Sequence, residues 1–118
     1  MDTADREKIE KLISDRKKAH TFYSKHSGAY RAFLDLEHQA FKDGALPAMQ
    51  KELVALGISV VIGCESCMEW HIRQALDTGA TFDQLIETVG VGIEMGGGPA
   101  TVSARFAMKV LEYYQAQG

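Results

Sequence analysis

Apolar residues recur at three-to-four spacing along most of this chain, and glycine or proline breaks cut the pattern into six segments. Nothing else in the sequence constrains the fold so strongly. The breaks are Ser27-Gly28, Asp43-Gly44, Gly63, Thr78-Gly79 and Gly96-Gly97-Gly98-Pro99. They predict helices over about Asp5 to Tyr23, Ala29 to Lys42, Pro47 to Ile62, Cys64 to Asp77, Phe82 to Met95, and from Pro99 onward. Ile58-Ser59-Val60-Val61-Ile62 is β-branched and would suit a buried strand. It has no second strand to pair with and follows Pro47 and good helix formers, so it is expected as the end of a helix buried on most sides. The expected fold class is all-α, with about six helices.

The stripes name a candidate core. In the first helix it is Ile9, Leu12, Ile13, Ala19 and Tyr23; in the second Tyr30, Phe33, Leu34 and Phe41; in the last Val102, Phe106, Val110 and Tyr113 or Tyr114. Thr81 is expected to cap the fifth helix, with Asp83 in its first turn. At 118 residues the chain is one domain's worth. It is expected as a single domain over 1–118, with an N-terminal helical hairpin at 1–43 packed on a core at 45–116. So small a chain buries a modest share of its surface, and a partner subunit is expected to help complete the core.

The net charge of −3 offers no basic field for nucleic acid. Met1 to Lys18 is dense in both charge signs and lacks the apolar centre of a secretory signal. The longest uncharged apolar run, Leu53 to Cys64, is too short to cross a bilayer. A cytoplasmic, reducing location is therefore expected, without membrane or nucleic-acid partners. There, two cysteines spaced C-x-x-C, Cys64 and Cys67, read first as redox chemistry or metal binding.

The informative string is Glu52 followed by Cys64-Glu65-Ser66-Cys67-Met68-Glu69-Trp70-His71. At about 100° per helical residue, Cys67 and His71 fall within about 60° of Cys64, while Glu65 and Glu69 point away. His71 lies one turn beyond Cys67, where side chains meet. A thiol attacks peroxides and disulfides as thiolate. The start of the fourth helix favours that form at Cys64, and His71 as proton acceptor favours it at Cys67. The two arguments select different cysteines. Oxidation of one to a sulfenic acid, condensation with its neighbour to a disulfide and reset by an external dithiol would make a cycle. Glu52 sits in an inward-facing apolar stretch, where an unpaired carboxylate would be costly, and is expected to meet and orient His71.

Glu-x11-Cys-x2-Cys-x3-His resembles the alkylhydroperoxidase D-like branch of the carboxymuconolactone decarboxylase superfamily. Gly96-Gly97-Gly98-Pro99-Ala100 is similar to that family's glycine-rich break before its last core helix, and the likeness runs from about Ala45 to Tyr114. The resemblance implies an all-helical fold assembled as trimers, hexamers or dimers, and a peroxide- or disulfide-reducing centre with no metal or organic cofactor. It implies Cys67 as the attacking cysteine, Cys64 as the resolving one, His71 as base and Glu52 as part of the proton relay. The implied partners are a hydroperoxide or disulfide substrate and an external dithiol of thioredoxin or lipoyl type. Ser66 stands where well-characterised hydroperoxidases of the branch usually carry His or Tyr, and a general disulfide reductase remains compatible with that difference.

Several rival readings remain. Cys64, Cys67, His71 and Glu52 offer S, S, N and O ligands for zinc in a non-enzymatic scaffold, although one rigid helix wraps an ion poorly. A decarboxylase-like lyase would leave the cysteines as bystanders, but that branch generally lacks the pair. Gly90-x-Gly92 and the glycine run have no preceding strand, so they form no dinucleotide loop. His20, His26 and His38 and the run Arg16-Lys17-Lys18 are expected on solvated faces, and Met68 and Trp70 as packing residues.

Overall fold

The computed structural model describes residues 1–118. Six helices follow one another with no strand: α1 Thr3–His26, α2 Gly28–Phe41, α3 Ala48–Ile62, α4 Glu65–Asp77, α5 Phe82–Gly96 and α6 Gly98–Gln117. Each boundary has a local cause. Asp2 caps α1 by accepting from the Ala4 and Asp5 N–H groups. Ser27 ends α1 and caps α2 through its hydroxyl, which accepts from the Tyr30 N–H at 3.0 Å. Pro47 stands at the N-cap of α3 with no cap of its own, and Asp43 Oδ1 takes the Ala48 N–H at 2.7 Å instead. Thr81 and Gln84 form a reciprocal capping box on α5.

The antiparallel turn between α3 and α4 depends on Gly63. Its φ of 71° and ψ of 28° lie in the left-handed region, which costs glycine little. With Gly63 in that conformation the Cys64 N–H bonds the Ser59 carbonyl at 3.1 Å, and the chain turns directly into α4.

α3 is the central helix, packed most extensively against α5 and α4, with further contacts to α6 and α2. Leu56 and Val60 of α3, Met68, Ile72 and Ala75 of α4, Leu85 of α5, and Phe106, Ala107 and Val110 of α6 make the buried cluster. α3 and α5 approach closely because Gly92 has no side chain. A Cβ there would lie 2.9 Å from the Gly57 carbonyl oxygen and 3.1 Å from Val60 Cβ. α1 crosses α4 and α6 and contributes Ile9 to the core, while α2 folds back along α1 and reaches α3.

The structure corrects several expectations about burial. The β-branched end of α3 is a helix, but it buries one face only: Ile58, Val61 and Ile62 are exposed, Ile62 by 66%. Gly92 of α5 packs against Val60, whereas the Ile58 and Ile62 side chains are left largely in water. Val102 is exposed too, although Ala100 in the first turn of α6 is buried. In the hairpin Tyr23 is about half exposed and α2 buries no residue fully, because α2 packs mainly along α1. No helix is long and apolar enough to cross a membrane.

Candidate active site

The α3–α4 turn places the two sulfurs. Cys64 is the N-cap of α4 and not its first helical residue, a shift of one position from the expected start that follows from the Gly63 turn. In this position its Sγ accepts the Cys67 N–H at 3.2 Å, serving as the cap that Ser or Asp usually provides. Cys64 and Cys67 are joined as a disulfide with a Cα–Cα separation of 5.2 Å. Both sulfurs therefore sit where the first turn of α4 presents unpaired N–H groups and the positive end of its dipole.

His71 follows one turn later on α4. Its Nδ1 meets Glu52 Oε2 of α3 at 2.7 Å, with both side chains nearly enclosed. The neighbouring helix thus supplies the buried carboxylate with the partner that the sequence demanded. With Nδ1–H donating to Glu52, Nε2 is the ring nitrogen left free to accept a proton. Phe41, at the end of α2, stacks on the imidazole at 5.4 Å between centroids and 19° between planes.

A second polar cluster lies beside the first. Glu69 is fully buried. Arg16 of α1 donates Nη1–H to Glu69 Oε1 at 2.5 Å, and the Tyr114 hydroxyl of α6 donates to Glu69 Oε2. Burial, and then the Glu69 carboxylate that accepts its hydrogen bond, push the Tyr114 hydroxyl pKa well above its ordinary value. The other nitrogen of the Arg16 fork, Nη2, donates to the Ser66 carbonyl at 2.8 Å and to Ser66 Oγ at 3.1 Å. The guanidinium also lies 5.2 Å from the Trp70 ring centre. Arg16 thus ties α1 to the segment between the two cysteines.

This cluster revises two expectations. Glu69 points away from the cysteines as predicted, yet it does so into the protein and not into water. Arg16 is no solvated residue, since only 24% of its side chain is exposed. One signal was available: Ile72 and Leu76 stand three and seven residues after Glu69, so the acid lies in line with an apolar stripe. Nothing in the spacing of α1 against α4 identified Arg16 as its partner.

Cys67, His71, Ser66 and Trp70 line a cavity of about 800 Å³ whose other walls come from α1 and α2. Met68 is core as expected, whereas Trp70 borders this space. His20 hydrogen-bonds the Tyr30 hydroxyl at 2.9 Å across the hairpin and faces the same space. His20, His26 and His38 are all exposed, as predicted. No group of three or more His, Cys, Asp or Glu side chains is arranged to hold a metal ion.

The family model for carboxymuconolactone decarboxylases matches residues 28–110. The chain belongs to the carboxymuconolactone decarboxylase family. An uncharacterized protein of Cupriavidus necator is 44% identical over 88 residues, covering 75% of this chain and 75% of the relative. The uncharacterized protein 4 in the cox locus of Paracoccus denitrificans is 40% identical over 81 residues, 69% of this chain and 73% of that protein. A carboxymuconolactone decarboxylase family protein of Legionella pneumophila, solved in its apo form, superimposes with a TM-score of 0.78 at 31% identity, covering 92% of this chain and 96% of that one. A Thermotoga maritima family member superimposes with a TM-score of 0.83 at 24% identity, over 90% and 91% of the two chains, and shares the fold. The family match begins at α2 and takes in the Glu52, Cys64, Cys67 and His71 positions; α1, which supplies Arg16, lies outside it.

Proposed function

We propose that this carboxymuconolactone decarboxylase family protein is a thiol-dependent oxidoreductase that reduces hydroperoxides or disulfides through Cys64 and Cys67. The observation that carries the reading is the juxtaposition of three features. The two sulfurs are within bonding range at a helix start. His71 is one turn away, with one ring nitrogen held by Glu52. An open cavity reaches both Cys67 and His71.

In the reduced protein His71 Nε2 takes the Cys67 proton and Glu52 holds the imidazole in the tautomer that can do so. The Cys67 thiolate attacks one oxygen of a hydroperoxide, the O–O bond breaks, and the leaving alkoxide takes the proton from His71 as an alcohol. Cys67 is left as a sulfenic acid. The Cys64 thiol then attacks the Cys67 sulfur and water departs, giving the disulfide. An external dithiol restores both thiols by exchange and is itself oxidised to a disulfide. With a disulfide as substrate, the thiolate forms a mixed disulfide that Cys64 resolves, releasing two thiols. Cys67 has the attacking role because it shares the cavity with His71, whereas Cys64 is occupied at the cap.

Purified protein assayed with a hydroperoxide and a panel of dithiol donors, including thioredoxin-type and lipoyl donors, tests this reading. Wild type should turn over. Cys67→Ser should be inactive, and Cys64→Ser should accumulate a sulfenic acid at Cys67. A sulfenic acid trapped on Cys64 in Cys67→Ser would exchange the two roles. Absence of peroxide and disulfide turnover with every donor would refute the reading, and lactone turnover that survives Cys67→Ser would assign the chain to the lyase chemistry instead.

A further inference from the structure

The cavity beside Cys67 has walls of two kinds. The α2 wall is apolar, including Phe33, Leu36, Ala40 and Phe41, and Phe33 and Leu36 are 57% and 62% exposed. The α1 wall carries two cations, Arg16 and Lys17, against one acid, Glu37, in the entire lining. Arg16 is neutralised by Glu69. Lys17 has no carboxylate within ion-pair distance and is the free cation of the lining. Lys17 and Thr21 also border a shallow groove that continues along α1 past Lys18, Lys25 and His26, so the positive field extends outward from the mouth. At about 800 Å³ the space lies within the roughly 300–1,000 Å³ of small-ligand clefts. A purely polar ligand would leave the aromatic and aliphatic α2 wall in water, and a purely apolar one would leave Lys17 without a partner.

We propose that the cavity binds an apolar chain carrying a carboxylate, with the chain against α2 and the carboxylate at Lys17, so that the substrate class is the hydroperoxide of such an acid. The substrate class rests on the peroxidase reading above; the binding site does not. Reduction of such a ligand follows the balance already given: the Cys67 thiolate takes the terminal peroxide oxygen, the product is the hydroxy acid, and the external dithiol supplies the two electrons.

The binding test uses the unreactive ligand and needs no turnover. Trp70 is the single tryptophan and lines the cavity, so its fluorescence reports occupancy. The disulfide form is titrated with dodecanoate and, separately, with dodecanol. Dodecanoate should shift the Trp70 emission and bind about tenfold tighter to wild type than to Lys17→Ala, the size of one charge-assisted contact at a partly exposed site. Dodecanol should bind both proteins equally. Phe33→Ser, at an exposed position, should weaken both ligands. Equal dodecanoate affinity in wild type and Lys17→Ala, or no emission change with either ligand, overturns the proposal. The second result is also what a copy of this chain already filling the cavity would give. Turnover of a small neutral hydroperoxide without dodecanoate binding would refute this inference and leave the peroxidase reading standing; binding without turnover would do the reverse.

Discussion

Removing Arg16 should unfold the protein more readily by an amount set by Glu69. The carboxylate is fully buried, and its two partners are the Arg16 guanidinium and the Tyr114 hydroxyl. Arg16→Met keeps the length and apolar stem of the side chain but leaves a buried negative charge with one hydrogen-bond donor. Breaking a buried pair from one side costs about 3–5 kcal/mol. Because 24% of the Arg16 side chain is exposed, water can approach the vacated end, and the lower limit of about 3 kcal/mol applies. With a urea slope of about 1.5 kcal/mol/M, the unfolding midpoint should fall by about 2 M. Glu69→Gln keeps an acceptor for Tyr114 while removing the charge. Arg16→Met/Glu69→Gln should therefore recover about half the loss, so the coupling in the double-mutant cycle is about 1.5 kcal/mol plus the cost of Glu69→Gln alone. Urea titrations of the four proteins at one fixed concentration supply the cycle. A midpoint change below about 0.5 M in Arg16→Met, or losses that simply add, would show that water already serves Glu69 and that Arg16 does not anchor α1 to α4.

Tyr114 has its hydroxyl pKa raised on folding, so its contribution is complete below the unfolded value near 10 and is lost as the pH rises above it; stability should fall on the alkaline side, and Tyr114→Phe should flatten that limb in thermal melts across pH. Gly92→Ala should lower stability by about 2 kcal/mol, because its Cβ would press on the Gly57 carbonyl and Val60, where overpacking costs about 1–3 kcal/mol; an unchanged melt would mean that α3 and α5 separate freely. His71→Phe should move the pH–rate profile of thiol oxidation to higher pH and Glu52→Gln should reduce the rate with a smaller displacement, whereas an unchanged profile in His71→Phe would remove the imidazole from the proton transfer.

Helix number and type were legible because each break carries its own chemistry: Ser27, Gly63, the Thr81–Gln84 box and Gly97-Gly98-Pro99 determine ends through local hydrogen bonds and allowed φ values. The Cys67–His71 relation was legible for the same reason, being a spacing within one helix. The Glu52–His71 contact crosses helices, and it was predictable because a carboxylate inside an apolar stretch needs a partner. Burial was less legible. Ile58, Val61 and Ile62 are as apolar as the core residues beside them, and composition does not tell which side of α3 the other helices cover. The Arg16–Glu69–Tyr114 cluster joins three helices distant in sequence, and each member taken alone resembles an ordinary surface residue. The cavity was unreadable in the same way, since its walls exist only once the α1–α2 hairpin lies over α4.

The most direct measurement of the central claim is a thiol count with intact mass on fully reduced protein given one equivalent of hydroperoxide without air. Both thiols should disappear together, with the chain lighter by two hydrogens and still carrying its own sulfurs in a Cys64–Cys67 bond. Two thiols still titratable after the peroxide is added, or oxidation that joins separate chains or stops at an oxygenated sulfur in the wild type, would contradict it.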